Sequence, residues 1–105
     1  MDISKSQKKA IHKLLGEAHE AEIAKALLDV EAAIQEWRDG KILPSQVGDR
    51  IHEFHKENQE IFKTYNAGNP ILALARAVFY EFIPLDRVPD DLRPRVKERQ
   101  TLFDR

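Results

Sequence analysis

Glycine and proline stand at only a few positions of this sequence, and they divide it into helical segments. From Ser4 to Trp37 no proline interrupts the chain. Ser4 and Gln7 have the spacing of a capping box, in which the serine accepts from an early amide and the glutamine reaches back to the cap. Asp39-Gly40 supplies a C-terminal stop, because glycine readily adopts the left-handed conformation that ends many helices. The first segment is therefore predicted to be a long helix.

The same residue types delimit two further helices. Pro44-Ser45 precedes a run from Gln46 to Tyr65, and Asn66-Ala67-Gly68 ends that run. Asn69-Pro70 then fits an N-cap followed by a proline in the first turn, where the missing N–H costs nothing. This third helix must end near Pro84, because proline cannot continue a helix.

The remaining stretch is broken by prolines, and a short terminal helix is predicted from about Pro94 to Phe103. Threonine occurs only twice, and no segment alternates between polar and apolar residues as a strand would. We therefore predict an all-α fold in one domain, residues 1–105. Its form is a compact helical bundle of three long helices, the first either continuous or broken near Gly16, plus a short C-terminal helix.

Apolar residues recur at steps of three and four in the first two runs, which is typical of a buried helix face. The stripe of the first run contains Ile23, Leu27, Val30, Ile34 and Trp37, and that of the second contains Val47, Ile51, Phe54, Ile61 and Tyr65. We expect these stripes to form the core, with residues 71–83 between them. A change of Trp37 to alanine is then expected to cost about 3–5 kcal/mol.

Upstream of Gly16 the apolar face of the first run changes direction. Ile11, Leu14, Leu15 and Ala18 project to a different side from the later stripe. Two interpretations remain open. Either the segment is two helices, about 5–15 and 17–38, or it is one long helix that packs on different neighbours at its two ends.

More apolar helix surface is present than a lone small bundle needs. Residues 71–83 are apolar on nearly every side, which is typical of a helix in the middle of a bundle or against a partner subunit. A second strip in the first helix, Ala21, Leu28 and Ala32, lies opposite the main stripe. This surplus indicates self-association or binding of a protein partner.

Charge and composition exclude several classes of protein. The formal net charge of −1 is too balanced for bulk attraction to nucleic acid, and there is no cysteine. The longest apolar segment, residues 71–83, is shorter than the roughly 20 residues that a membrane span needs. A secretory signal has an apolar stretch after its positively charged start, and no such stretch follows the N-terminal lysines. We expect a cytoplasmic protein that binds neither membranes nor nucleic acid.

Histidines suggest a second class of function. Asp49, His52 and His55 are each three residues apart, close enough on a helix for neighbouring side chains to approach one ion. The spacing differs from the His-Glu-x-x-His pattern of zinc enzymes. A metal-dependent binding protein or enzyme that uses His52 and His55, with His12 or His19, is therefore the alternative function, although the sequence implies no cofactor.

Three positions stand out as candidates for binding a partner or ligand, beside His52. Asn58 lies in the centre of the second stripe, where it could select a dimer register or bond to an irregular backbone segment of the same chain, for example the Gly40–Pro44 loop. His55 is expected at the margin of that stripe, half-buried, with a backbone or carboxylate partner. Arg76 is one of two charged residues that interrupt the apolar run of residues 71–83.

No catalytic motif is present. The sequence contains no glycine-rich phosphate loop and no Gly-x-Ser-x-Gly elbow, and its three serines are explained as caps or turns. We assign no catalytic residue. The favoured function is a small helical interaction or regulatory module, acting by helix packing as a homodimer, without catalysis of its own.

Overall fold

Within residues 4–66 and 68–103, which this computed structural model describes, the chain forms four α-helices, two short 3-10 turns and no strand. The helices are α1 (Lys5–Arg38), α2 (Pro44–Asn66), α3 (Pro70–Phe79) and α4 (Arg93–Gln100), and the 3-10 turns are Leu85–Arg87 and Asp90–Leu92. The prediction of an all-α fold is confirmed. Ala67, in the predicted stop after the second helix, and both ends of the predicted domain lie outside the described residues.

Both predicted ends of α1 are confirmed. The Gln7 N–H donates to Ser4 Oγ at 3.1 Å, and the Ser4 N–H donates to Gln7 Oε1 at 2.9 Å, which completes the capping box. At the other end Gly40 has a φ of 76°, and the Lys41 N–H donates to the Glu36 carbonyl at 2.8 Å. These contacts satisfy backbone groups that the helix leaves unpaired at its termini.

Helix α1 is continuous through Gly16 and changes neighbours along its length. Its first half buries Ile11, Leu14 and other residues in one cluster with α3. Its second half buries Ala26 and Ala33 on the side that faces α2. Of the two interpretations of this segment, one long helix with different neighbours is therefore confirmed.

The molecule is elongated, with extents of 55 × 25 × 19 Å. At about 1.5 Å of rise per residue, α1 alone spans nearly the whole long axis. α3 packs mainly on α4 and α1, and it contacts α2 only slightly. The bundle is therefore compact only at the end that contains the first half of α1.

The hydrophobic core lies at that end. Leu74 in α3 and Val96 in α4 are fully inaccessible, and Val88 between them is 1% exposed. These side chains pack with the first half of α1. The apolar α3 thus occupies the middle of the packed region, as its composition predicts.

Helix α3 ends at Phe79, several residues before the predicted limit at Pro84. The cause is Glu81, whose φ of 63° lies in the left-handed region. The Phe82 N–H donates to the Ala77 carbonyl at 2.8 Å, and the Glu81 N–H donates to the Val78 carbonyl at 3.1 Å. This is a Schellman ending formed without glycine, which the sequence pattern does not reveal.

At the opposite end only two helices pack on each other, and we call residues 23–38 of α1 with residues 44–62 of α2 the arm. Its centre is formed by Ala26 and Ala33 of α1 with Val47 and Ile61 of α2, all buried. The predicted core is confirmed here for Val47 and Ile61 of the second stripe, but it is wrong for the first stripe, because alanines of α1 occupy the contact in place of its larger side chains. Leu27, Trp37 and Ile51 from the predicted stripes are exposed, and α3 does not lie between the two helices.

Candidate functional site

One flank of the arm carries large apolar side chains that the fold leaves open, and we call this surface the apolar face. Leu27, Trp37, Ile51 and Phe62 on it are between 44% and 59% exposed. The face comprises Ile23, Leu27, Val30, Ile34 and Trp37 of α1 with Ile51 and Phe62 of α2. Since the contact between α1 and α2 is centred on small alanines, the bulky residues of the stripe are displaced to its side.

Two open grooves follow this face. A groove of about 590 Å³ lies between α1 and α2, and we call it the base groove. Its walls are formed by His19, Ile23, Asn58 and Phe62, with Gln59 and Lys63 at its edge. A second groove of about 690 Å³ runs along the outer side of α1 past Leu27, Leu28, Ile34 and Arg38, among other residues. The second predicted strip of α1 is therefore also open at Leu28.

Asn58 is half-buried in the wall of the base groove. The Gly40–Pro44 loop directly precedes α2, so it lies about 20 Å away along the helix at about 1.5 Å per residue. The predicted hydrogen bond from Asn58 to that loop is therefore wrong. The alternative, that Asn58 contributes to a paired-helix interface, stays a prediction.

The histidine candidates do not converge. Asp49, His52 and His55 all lie exposed on α2, so the half-buried position predicted for His55 is wrong. His19 stacks on the Tyr65 ring at 5.4 Å, and His12 is exposed. Nowhere in residues 4–66 and 68–103 do three His, Asp or Glu side chains come close enough to hold a metal ion.

Arg76, the fourth candidate, lies in a charged cluster where α1, α2 and α3 meet. Its guanidinium donates two hydrogen bonds to the carboxylate of Glu22, at 2.5 Å and 2.7 Å. The Tyr65 hydroxyl donates to the same carboxylate at 2.8 Å. The guanidinium carbon also lies 5.3 Å from the centroid of the Tyr80 ring. Three helices are thus joined through one carboxylate.

This cluster shifts the pKa of each of its members. Burial raises the pKa of Glu22, but hydrogen bonds from Arg76 and Tyr65 outweigh it, so the net pKa lies below its ordinary value. Burial and the hydrogen bond to Glu22 both raise the pKa of Tyr65. The hydrogen bond to Glu22 raises the pKa of Arg76 against the opposing effect of burial. The ionised pair and the neutral phenol are therefore the stable forms.

The opposite charges of the cluster are paired within it. Glu22 and Arg76 neutralise each other, so neither charge is left to act on a substrate. Beside it lies a cavity of about 230 Å³ whose lining includes charges of both signs, Lys25, Asp29 and Glu57. The arrangement is therefore suited to holding three helices together rather than to acid–base chemistry.

Function must be argued from this geometry. No protein-family model, curated protein or solved structure matches this chain. Across the described part of the chain, every helix is too short or too polar to traverse a bilayer. The surface that most needs an explanation is the apolar face.

Sequence analysis missed Glu22 and Tyr65. The spacing places Tyr65 in an apolar stripe, and Glu22 is one of several acids in the first helix. One signal was present, because an arginine inside an apolar helix requires a buried acceptor. The acid that supplies it lies 54 positions away in the sequence, so spacing alone does not select it.

Proposed function

We propose that this protein is a small helical interaction module that self-associates through the apolar face of its arm and carries out no catalytic step of its own. The observation that carries the proposal is the exposure of large apolar side chains on one flank of a two-helix arm. Monomeric proteins scatter such residues singly, whereas a contiguous apolar surface marks an interaction site.

The chemistry of the face supports association. Full burial of a Leu or Phe side chain contributes about 1.5–3 kcal/mol, so covering a half-exposed Leu27 or Phe62 gains about half of that. Several such residues lie together on the face. Charged side chains stay at its edges, as in known interfaces with an apolar centre and a polar rim.

The dimensions of the arm fit a second copy. Its face is roughly 25 Å long and roughly 20 Å wide, from about 1.5 Å of rise per residue and a helix diameter of about 10 Å. The projected area is about 500 Å² per copy, or about 1,000 Å² for two copies, which lies at the low end of the range for specific protein interfaces. Two such arms placed face to face form a four-helix arrangement, the usual way to bury a two-helix layer.

Sedimentation velocity on two variants tests the proposal. The wild type is expected to dimerise with a dissociation constant of about 1–10 μM. The double variant Leu27→Ser/Phe62→Ser should be a monomer with unchanged helicity, because both side chains are about half exposed. Leu102→Ser is the matched control, since Leu102 is 51% exposed but lies beyond α4, away from the arm.

Two outcomes contradict the proposal. A wild type that stays monomeric at about 100 μM would lack the affinity that this surface predicts. A double variant that dimerises as well as the wild type would show that the contact lies elsewhere. Circular dichroism on each variant separates loss of association from loss of folding.

A further inference from the structure

We infer that the second copy docks antiparallel, with a two-fold axis perpendicular to α1 midway between Leu27 and Val30, so that Trp37 of each copy fills the base groove of the other. This inference rests on the proposed self-association and adds its register. It names the occupant of the base groove and gives Asn58 a partner.

The spacing of the α1 stripe is nearly the same in both directions. At about 100° per residue, His19, Ile23, Leu27, Val30, Ile34 and Trp37 project within about 40° of one line. Ile23 and Ile34 lie equally far from the proposed axis, and so do Leu27 and Val30. An antiparallel copy therefore places Ile23 opposite Ile34 and Leu27 opposite Val30, with Trp37 close to the level of His19.

The two ends of the face are complementary in shape. The tip of the arm, where α1 ends and α2 begins, carries the indole of Trp37, which is 44% exposed. The other end carries the open base groove of about 590 Å³. A tryptophan buries about 150–250 Å² when it is covered. Two-fold symmetry forms this contact twice, once in each copy.

Asn58 supplies the hydrogen bond that a buried tryptophan needs. An indole N–H is a donor only, and it usually finds an acceptor when it is buried. In the proposed register the indole of the partner copy lies beside the Asn58 amide in the groove wall. The Asn58 side-chain oxygen can accept from that N–H, which accounts for an asparagine among apolar residues.

Charge at the rim favours the antiparallel arrangement. Glu20 and Arg38 share one angular position on α1 and lie almost equally far from the axis, on opposite sides of it. Both are exposed, and neither forms an ion pair within the described residues. An antiparallel dimer pairs Glu20 with Arg38 of the partner copy twice. A parallel dimer would instead place like charges opposite each other.

The packed end of the molecule leaves this approach open. Ile11, Leu14 and Ala18 are buried in one cluster with residues of α3 and α4. On α1 they project away from the side that carries Ile23 and Val30. The tip of the partner copy therefore reaches the base groove without meeting α3 or α4.

Cysteine pairing tests the register, since the chain contains no cysteine of its own. Ile23→Cys and Ile34→Cys are prepared as separate single variants and oxidised alone and as a mixture. Only the mixture should form a covalent dimer, because a disulfide needs Cα atoms within about 7 Å. In the proposed register the two copies of position 23 lie roughly 16 Å apart along α1, at about 1.5 Å per residue.

A charge exchange provides a second, independent test that leaves the core untouched. Glu20→Arg and Arg38→Glu should each raise the dissociation constant about tenfold, because each places like charges opposite each other twice, and the combined exchange should restore it. If each single-cysteine variant forms its own covalent dimer, or if the exchange does not restore binding, the register is overturned while self-association stands. If the wild type does not dimerise in sedimentation, the proposed function fails as well.

Discussion

The strongest stability prediction concerns Glu22, whose carboxylate joins three helices. Glu22→Gln keeps the size of the side chain and one acceptor oxygen, but it removes the negative charge. Arg76 then keeps its positive charge at a site where its side chain is only 26% exposed. Unfolding experiments on this variant measure how much the ion pair stabilises the fold.

The burial of the two side chains determines how much folding stability Glu22→Gln is expected to lose. Removing one partner of a fully buried ion pair costs about 3–5 kcal/mol. Because the side chains of Glu22 and Arg76 are 10% and 26% exposed, solvent screening reduces this cost to about 2–3 kcal/mol. For a domain of this size each kcal/mol lowers Tm by about 4–8 °C, so Glu22→Gln should melt about 10–20 °C below the parent.

The stability difference between Glu22→Gln and the parent depends on pH, and it should be smaller in acid. The folded pKa of Glu22 lies below the ordinary value of a glutamate, because the hydrogen bonds from Arg76 and Tyr65 outweigh the effect of burial. Its contribution is therefore fully present above that value and is lost as the pH falls through the folded pKa. Thermal melts by circular dichroism at one protein concentration, at pH 7 and near pH 3, should show a large difference from the parent that shrinks in acid.

Glu17→Gln is the matched control, because Glu17 pairs with Arg87 at 2.8 Å where both side chains are more than 40% exposed. Exposed pairs contribute about 0–1 kcal/mol, so this variant should melt close to the parent. If Glu22→Gln melts within about 2 °C of the parent at pH 7, the ion pair does not stabilise the fold as expected. A difference as large in acid as at neutral pH would show that the charge of Glu22 is not its cause.

Other substitutions follow from local geometry. Gly16→Ala and Gly48→Ala should each stabilise the fold by about 1 kcal/mol in urea unfolding, because an added Cβ meets nothing within 4 Å; destabilisation would contradict the packing. Glu81→Gly should raise the free energy of unfolding by about 1 kcal/mol, because glycine adopts a left-handed backbone without strain. If the variant is no more stable than the parent, Glu81 does not have the left-handed conformation that ends α3. Tyr65→Phe should cost about 1–2 kcal/mol at pH 8. Since the pKa of Tyr65 is raised, that cost should fade as the pH rises above 10.

Trp37 illustrates where sequence reasoning went wrong. A tryptophan at the end of an apolar stripe was expected to anchor the core, with a cost of about 3–5 kcal/mol for its removal. It is 44% exposed, so Trp37→Ala should cost the monomer only about half of that, about 1.5–2.5 kcal/mol. Within the proposed dimer the same change should weaken association instead. In urea unfolding of dilute protein, where the wild type is monomeric, a loss of about 1.5–2.5 kcal/mol would agree with the structure, and a loss of about 3–5 kcal/mol would agree with the predicted core.

Sequence analysis predicted the local features well. The capping box at Ser4, the stop at Gly40 and the cap at Asn69 depend on residues within one turn of each other. The Asn69 side chain accepts from the Ile71 N–H at 2.8 Å, as its position before Pro70 predicts. Such contacts depend on backbone geometry alone, so spacing is sufficient to identify them.

The order of residues along the chain is therefore sufficient to predict the class of fold, the caps that begin and end its helices and the surplus of apolar surface. How that surplus is distributed depends on the way the helices pack. Ala26 and Ala33 lie at the contact between α1 and α2, and the larger residues beside them stay open. The ion pair between Glu22 and Arg76 also depends on helices distant in sequence. Burial is set by which neighbour approaches each face, and a periodic pattern contains no information about that neighbour.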